Sequence, residues 1–161
     1  MKNAHCSHCG AAFVVDAAWP RTCAACGETS YVNPIPVAVL LLPVDDGVLA
    51  IRRGVAPQIG KLALPGGYVD FGESFEKAGA RELFEETQIS VSPDDIKLFS
   101  VGAGGSTLII FGVGPRFASA ALPPFVATSE TTERVLVSGP VELAFPLHTE
   151  ALARFFAERT L

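Results

Sequence analysis

The stretch Gly67-Tyr68-Val69-Asp70-Phe71-Gly72-Glu73-Ser74-Phe75-Glu76-Lys77-Ala78-Gly79-Ala80-Arg81-Glu82-Leu83-Phe84-Glu85-Glu86-Thr87-Gln88-Ile89 decides how the rest of the chain is read. Ser74 is a good N-cap residue, and the pattern after it predicts a helix to about Thr87. At about 100° per residue, Glu82, Glu85 and Glu86 fall within about 100° of arc on one helix face. Like charges three and four residues apart destabilise a helix by about 0.2–0.5 kcal/mol per pair. Such a cluster is unfavourable unless a cation answers it. Hard oxygen ligands suit Mg²⁺ or Mn²⁺, which bridge carboxylates to phosphates. Taken alone, the same acidic face is also what a solvated helix surface presents.

Working outward, a strand Val37 to Leu42 is expected upstream, followed by a hairpin through Asp45-Asp46-Gly47 onto Val48 to Ile51. A short strand at Leu62-Ala63-Leu64 leads into the Pro65-Gly66-Gly67 turn. Downstream, strands are expected at Ile96 to Val101, Thr107 to Val113 and near Arg134 to Val137, with a turn at Gly102 to Gly105 and a loop from Gly114 to Pro124. A terminal helix is expected from about Thr149, burying Leu152, Phe155 and Phe156. Strands with one helix in the middle and one at the end describe an α/β domain with a mixed sheet between helices.

The first 30 residues read as a separate module. They hold all four cysteines, as Cys6-x2-Cys9 and Cys23-x2-Cys26, and each pair is followed by glycine. Two such knuckles close one tetrahedral Zn²⁺ site, and metal binding would supply the folding free energy of a segment with so few apolar residues. Two disulfides or four unrelated buried cysteines are the alternatives. The spacing and the lack of an apolar leader favour structural zinc. His5 and His8 are able to replace a thiolate but are not needed for four-coordination. The expected domains are residues 1–30 and 31–161.

The chain has 161 residues, 49% of them apolar, enough for one ordinary domain and a small appendage. Its longest apolar stretch is broken by Pro36 and Pro43 and is too short to span a bilayer. A cytoplasmic protein without a membrane partner is expected. The net charge of −5 and the absence of a basic run beyond Arg52-Arg53 argue against nucleic acid as a partner. They allow a small phosphorylated ligand neutralised by metal.

The quoted stretch closely resembles the Nudix box, G-x5-E-x7-R-E-U-x-E-E-x-G-U with U aliphatic. Gly67, Glu73, Arg81, Glu82, Leu83, Glu85, Glu86 and Ile89 stand at the family spacing. One position departs, Gln88 where the family has glycine. A non-glycine residue there is expected to cost about 1 kcal/mol or to lengthen the helix slightly. The ribbon, the Tyr31-Val32-Asn33-Pro34 connector and Leu143-Ala144-Phe145-Pro146-x-His148 extend the resemblance to Nudix proteins with an N-terminal zinc ribbon, related to FAD, ADP-ribose and NADH pyrophosphatases.

That resemblance implies a mixed-sheet α/β/α sandwich preceded by a small zinc ribbon. It also implies hydrolysis of a pyrophosphate bond in a nucleoside diphosphate linked to another group. Glu82, Glu85 and Glu86, with the carbonyl of Gly66, would hold the catalytic Mg²⁺ or Mn²⁺. Glu73 and Arg81 would form an ion pair that orients these carboxylates. The general base would be a later glutamate, Glu130 or Glu133, although either is equally a plain exposed loop carboxylate. The NADH branch carries a Ser-Gln-Pro-Trp-Pro-Phe-Pro element after the box, and none occurs here. FAD or ADP-ribose, cleaved to AMP and the other phosphorylated half, is therefore preferred. Tyr31, Phe71, Phe99 and Phe111 are candidates to stack on a ring, although core packing is the commoner use. A homodimer is implied. From another class, the chain would be a nucleotide sensor or a nucleic-acid-binding adaptor; the complete glutamate set and the scarcity of Lys and Arg oppose both.

Overall fold

A computed structural model describes residues 3–159. The chain divides into two compact units at the Pro34–Ile35 junction. The boundary therefore lies a few residues beyond the expected one, because 31–34 go with the first unit. The expected outer limits at residues 1 and 161 lie outside the described residues. In the first unit, β1 (Arg21–Thr22) and β2 (Thr29–Ser30) form a two-stranded antiparallel sheet. Gly10 and Gly27 have φ of 77°, and their N–H groups close tight turns onto the carbonyls of Cys6 and Cys23.

The second unit runs through β3 (Ile35–Leu41), β4 (Pro43–Val44), β5 (Gly47–Arg53), β6 (Leu62–Ala63), β7 (Gly66–Tyr68), α1 (Phe75–Thr87), β8 (Lys97–Ala103), β9 (Thr107–Val113), β10 (Thr131–Val137) and α2 (Pro146–Arg159). One sheet has the order β7-β3-β9-β8, with β3 and β9 parallel and the other pairs antiparallel. The other has the order β10-β5-β4, with β6 also pairing β5.

Alternation along β3 explains the layering. Val39 and Leu41 pack with Leu143, Leu152 and Phe155 on the α2 side. Leu40 pairs with Leu83, Ile89 and Ile96 on the α1 side, where Leu42 also packs. Because successive strand residues face opposite ways, one strand feeds both cores, and it is buried on both faces from Ala38 onward. This is the expected α/β/α sandwich.

Several boundaries differ from the sequence reading, β3 and β5 by one or two residues at their ends. α2 starts at Pro146, a turn before Thr149, because proline is tolerated in a helix's first turn. β8 extends to Ala103, so the turn narrows to Gly104-Gly105-Ser106. β10 begins at Thr131, where a bulge lets Thr131 pair with Arg53 and Glu133 with Arg52. No helix among the described residues is long and apolar enough to cross a membrane.

Candidate active site

The box glutamates gather where α1 meets the β6–β7 turn. Ser74 caps α1, its side chain accepting from the Lys77 N–H at 3.4 Å. Glu82 and Glu86 face the turn, where a Cβ on Gly67 would meet the Glu82 carboxylate and the Gly66 N–H reaches Glu86, while Leu83 is buried in the core beside them. The three glutamates are not equivalent. Glu86 is 8% exposed, Glu82 is partly buried, and Glu85 is mostly open to solvent.

Glu86 Oε2 accepts a hydrogen bond from the Gly66 N–H at 2.9 Å. Burial pushes its carboxyl up to about 8; the Gly66 N–H opposes this and the Glu82 charge adds to it. Burial also raises Glu82, against the pull of Arg81. A buried carboxylate beside another carboxylate is the setting that a divalent cation relieves.

Arg81 organises the other carboxylates. Its Nε donates to Glu73 Oε1 at 3.0 Å and its Nη2 to Glu73 Oε2 at 2.9 Å, a fork-on-fork pair. Nη1 donates to Glu82 Oε1 at 2.7 Å and more weakly to Glu85 Oε2 at 3.4 Å, while Nη2 also reaches the Tyr68 carbonyl at 2.9 Å. Arg81 and the Asp70 N–H hold the Glu73 carboxyl down at about 2. Glu82 Oε2, Glu85 Oε1 and Glu86 Oε1 are left without a hydrogen-bond partner among the described residues. Each of the three glutamates thus keeps one carboxylate oxygen free, although the three are not drawn together as a metal cluster among the described residues.

Two glycines make room for this. A Cβ on Gly66, at φ 154°, would lie 2.2 Å from the Ala38 carbonyl oxygen. One on Gly67 would lie 2.4 Å from the Glu82 carboxylate.

The two later glutamates part company. Glu133 is exposed and paired to Arg52 at 2.7 Å. Glu130 immediately precedes β10, where its carbonyl accepts from the Gly54 N–H at 2.7 Å, and its charge is felt by both Glu82 and Glu86. Of the ring candidates, Phe111 is core, whereas Tyr31 and Phe71 are exposed and not packed as core.

Beside Gly66 and Gly67 opens a cavity of about 820 Å³, walled by Val37, Val39, Leu64 and Ile109 and edged by Arg53 and His148. Its size and apolar lining are those of a small-molecule site. Neither Arg53 nor His148 was singled out as a site residue from sequence. The Phe145-Pro146-x-His148 pattern at a helix start was the available signal, and Arg53 was visible only as half of a basic pair.

In the first unit, the four cysteine sulfurs lie within 4.8 Å of one another, with Cys6–Cys26 at 3.8 Å and Cys9–Cys23 at 3.7 Å, and none is in a disulfide. A tetrahedron of Zn–S bonds of about 2.3 Å has edges of about 3.8 Å. Backbone N–H groups of Cys9 and His8 draw the Cys6 thiol down to about 6. Cys26 goes the other way, to about 12: the Glu28 N–H lowers it, but burial and the neighbouring sulfurs outweigh that. Four adjacent thiolates need a cation between them, and the geometry fits zinc. Among the described residues this is the one cluster of three or more ligand side chains drawn together as a metal site.

Comparison with known proteins bears on the family. A family model described as the NUDIX domain matches residues 33–112. The chain is 34% identical over 73 residues to an NAD-capped RNA hydrolase, NudC, of Edwardsiella ictaluri, covering 45% of this chain and 28% of that protein. It is 40% identical over 57 residues to an ADP-ribose pyrophosphatase of Methanocaldococcus jannaschii, covering 35% of this chain and 34% of that one. The matched regions thus span about a third or less of these curated relatives. The crystal structure of a NUDIX hydrolase from Nitrosomonas europaea superposes with a TM-score of 0.75 at 24% identity, covering 97% of this chain and 92% of that one, a likeness of fold. Box spacing, the α/β/α sandwich and the matching family model converge, and the chain belongs to the Nudix hydrolase family.

Proposed function

We propose that the chain is a divalent-metal-dependent pyrophosphohydrolase that cleaves a nucleoside diphosphate linked to another group, with FAD or ADP-ribose as the preferred substrates and AMP as one product. The observation that carries this reading is the free carboxylate oxygen on each of Glu82, Glu85 and Glu86, on the helix that meets Gly66 and Gly67, two glycines that also line an apolar cavity. These glutamates, with the Gly66 carbonyl, would hold Mg²⁺ or Mn²⁺. When bound, the metal would neutralise the pyrophosphate and lower the pKa of an attacking water. Glu73 and Arg81 keep the carboxylates oriented. Glu130 is preferred over Glu133 as general base, because its charge acts on the glutamate cluster whereas Glu133 is taken by Arg52. It would accept the proton as the water oxygen bonds to phosphorus; the anhydride P–O bond then breaks, and its electrons leave with the second phosphate. The cysteine cluster would hold Zn²⁺ in a closed, structural site. A homodimer is the assembly that the family resemblance implies.

The relatives named NAD-capped RNA hydrolases favour a second reading, in which the pyrophosphate lies in the cap of an RNA. A net charge of −5 provides little for an RNA backbone, so a free dinucleotide or nucleotide sugar is preferred. The test is a panel of FAD, ADP-ribose, NADH, diadenosine polyphosphates, nucleoside triphosphates and NAD-capped RNA, with Mg²⁺ or Mn²⁺ and products separated by chromatography. Fast AMP release from FAD or ADP-ribose supports the proposal. Selective decapping moves the substrate to RNA, and no turnover of any compound identifies a nucleotide sensor instead.

A further inference from the structure

His148 is 6% exposed, lies in the first turn of α2 and borders the cavity beside Gly66. Its Nδ1 accepts the Leu64 N–H at 3.3 Å, which assigns the ring proton to Nε2. The ring is fixed by edge-on contact with Phe111 (centroids 5.6 Å apart, 84° between planes) and a tilted contact with Phe145 at 5.1 Å. Among the described residues, none accepts from Nε2. The Nε2–H is thus free to donate to a ligand that enters the cavity His148 lines.

The rest of the lining narrows what that ligand presents. No carboxylate borders the cavity. Arg53, the one charged lining residue, is stacked 5.0 Å from the Phe145 ring and gives its Nε to the Pro57 carbonyl at 2.9 Å. The Thr107 hydroxyl donates to the Gly104 carbonyl at 3.1 Å. The lining side chains are then mostly apolar, with His148 offering a fixed N–H and only the Thr107 and Tyr68 hydroxyls able to accept. Burial, with the nearby Arg53 charge, holds His148 down at about 4, so it stays neutral with one fixed N–H.

We propose that the His148 Nε2–H selects the ring that enters this cavity, donating to a ring-nitrogen acceptor on the edge of the nucleobase of the AMP half. The base lies between apolar walls, while Gly66 and Gly67 place its phosphate against the glutamate face. His148 is thereby a specificity-determining residue. This inference rests on the hydrolase reading for the identity of the ligand, but its readout is binding.

The full-length protein with Mg²⁺ is titrated calorimetrically with AMP and with its 1-deaza, 3-deaza and 7-deaza analogues, each lacking one ring acceptor. One analogue is expected to bind about tenfold more weakly than AMP. In H148F, a variant of similar size without the donor, that analogue and AMP bind equally. In parallel, the imidazole Nε2–H of the wild-type protein, followed by NMR, is expected to shift and exchange more slowly with solvent when AMP is added. That measurement stands even where H148F does not fold. No AMP binding, equal affinities across all four ligands, an unchanged Nε2–H, or discrimination surviving in folded H148F overturns the proposal. Wild-type protein that hydrolyses none of the panel yet discriminates through His148 sinks the hydrolase reading and keeps this one. Turnover without discrimination does the reverse.

Discussion

Adjacent residues in the Pro65-Gly66-Gly67 turn do different work, and their substitutions separate stability from chemistry. An added Cβ at Gly66 meets backbone, the Ala38 carbonyl and the Val39 Cα at 2.7 Å, neither of which yields without opening the β3–β7 pair. G66A is expected to lose several kcal/mol and to melt early. At Gly67 the obstacle is the end of the Glu82 side chain, which swings aside cheaply. G67A is expected to keep its melting temperature within a few degrees while kcat falls at least tenfold, because the displaced carboxylate is one that the proposal gives to the metal. Unfolding curves paired with turnover check both, and a fully active G67A would remove Glu82 from the site. Glu86 gives the complementary case. A neutral amide at this buried position avoids the burial of charge, so E86Q is expected to be at least as stable as wild type without metal, yet to lose kcat by orders of magnitude. Unchanged turnover would exclude Glu86 as a ligand.

At the scale of elements, the end of α1 shows how far the residues could be read in one dimension. The helix limits and the Ser74 cap follow from capping chemistry, and the structure has both. Gln88 in the glycine position reads as a cost. It does take the left-handed conformation, φ 59° and ψ 16°, and its N–H bonds the Phe84 carbonyl at 2.8 Å. Its amide oxygen, however, accepts the Val126 N–H at 3.0 Å, and Arg134 donates to the Thr87 carbonyl at 3.1 Å. Both partners are about 40 residues or more away, so local pattern could not supply them. Q88A keeps the strained backbone and loses the tether, and is expected to destabilise by about 1 kcal/mol. Q88G relieves the backbone as it loses the same bond, and should stay within about 1 kcal/mol of wild type. Chemical denaturation of the two variants decides between tether and strain. The start of α2 is a second case. His148 there is depressed to about 4 from an ordinary 6.5, so the unfolded chain binds the extra proton between those values. Its contribution is present in full above about pH 6.5 and is lost as pH falls towards 4, of the order of 3 kcal/mol. The pH-dependence of unfolding in H148F should be flatter over that window.

On the scale of the whole molecule, what was legible is what depends on short spacing: two Cys-x2-Cys knuckles, one glutamate helix, and the strand Val37 to Leu42. What was not legible depends on long-range closure, such as where Glu130 and Glu133 stand, which follows from the pairing of β10 with β5. The two units also rest on different physics. The second has two apolar clusters flanking its sheets, whereas the first has a two-stranded sheet and four sulfurs. Its Val14 and Val15 are more than 70% exposed, so little apolar burial holds it without metal. Chelation of zinc is therefore expected to erase amide-exchange protection across residues 3–34 while leaving β3, β9 and α1 protected, with turnover restored by Mg²⁺ alone after the chelator is removed. Loss of protection in both units together would show that zinc stabilises the catalytic fold itself, and the Pro34–Ile35 junction would then separate two parts of one cooperative structure.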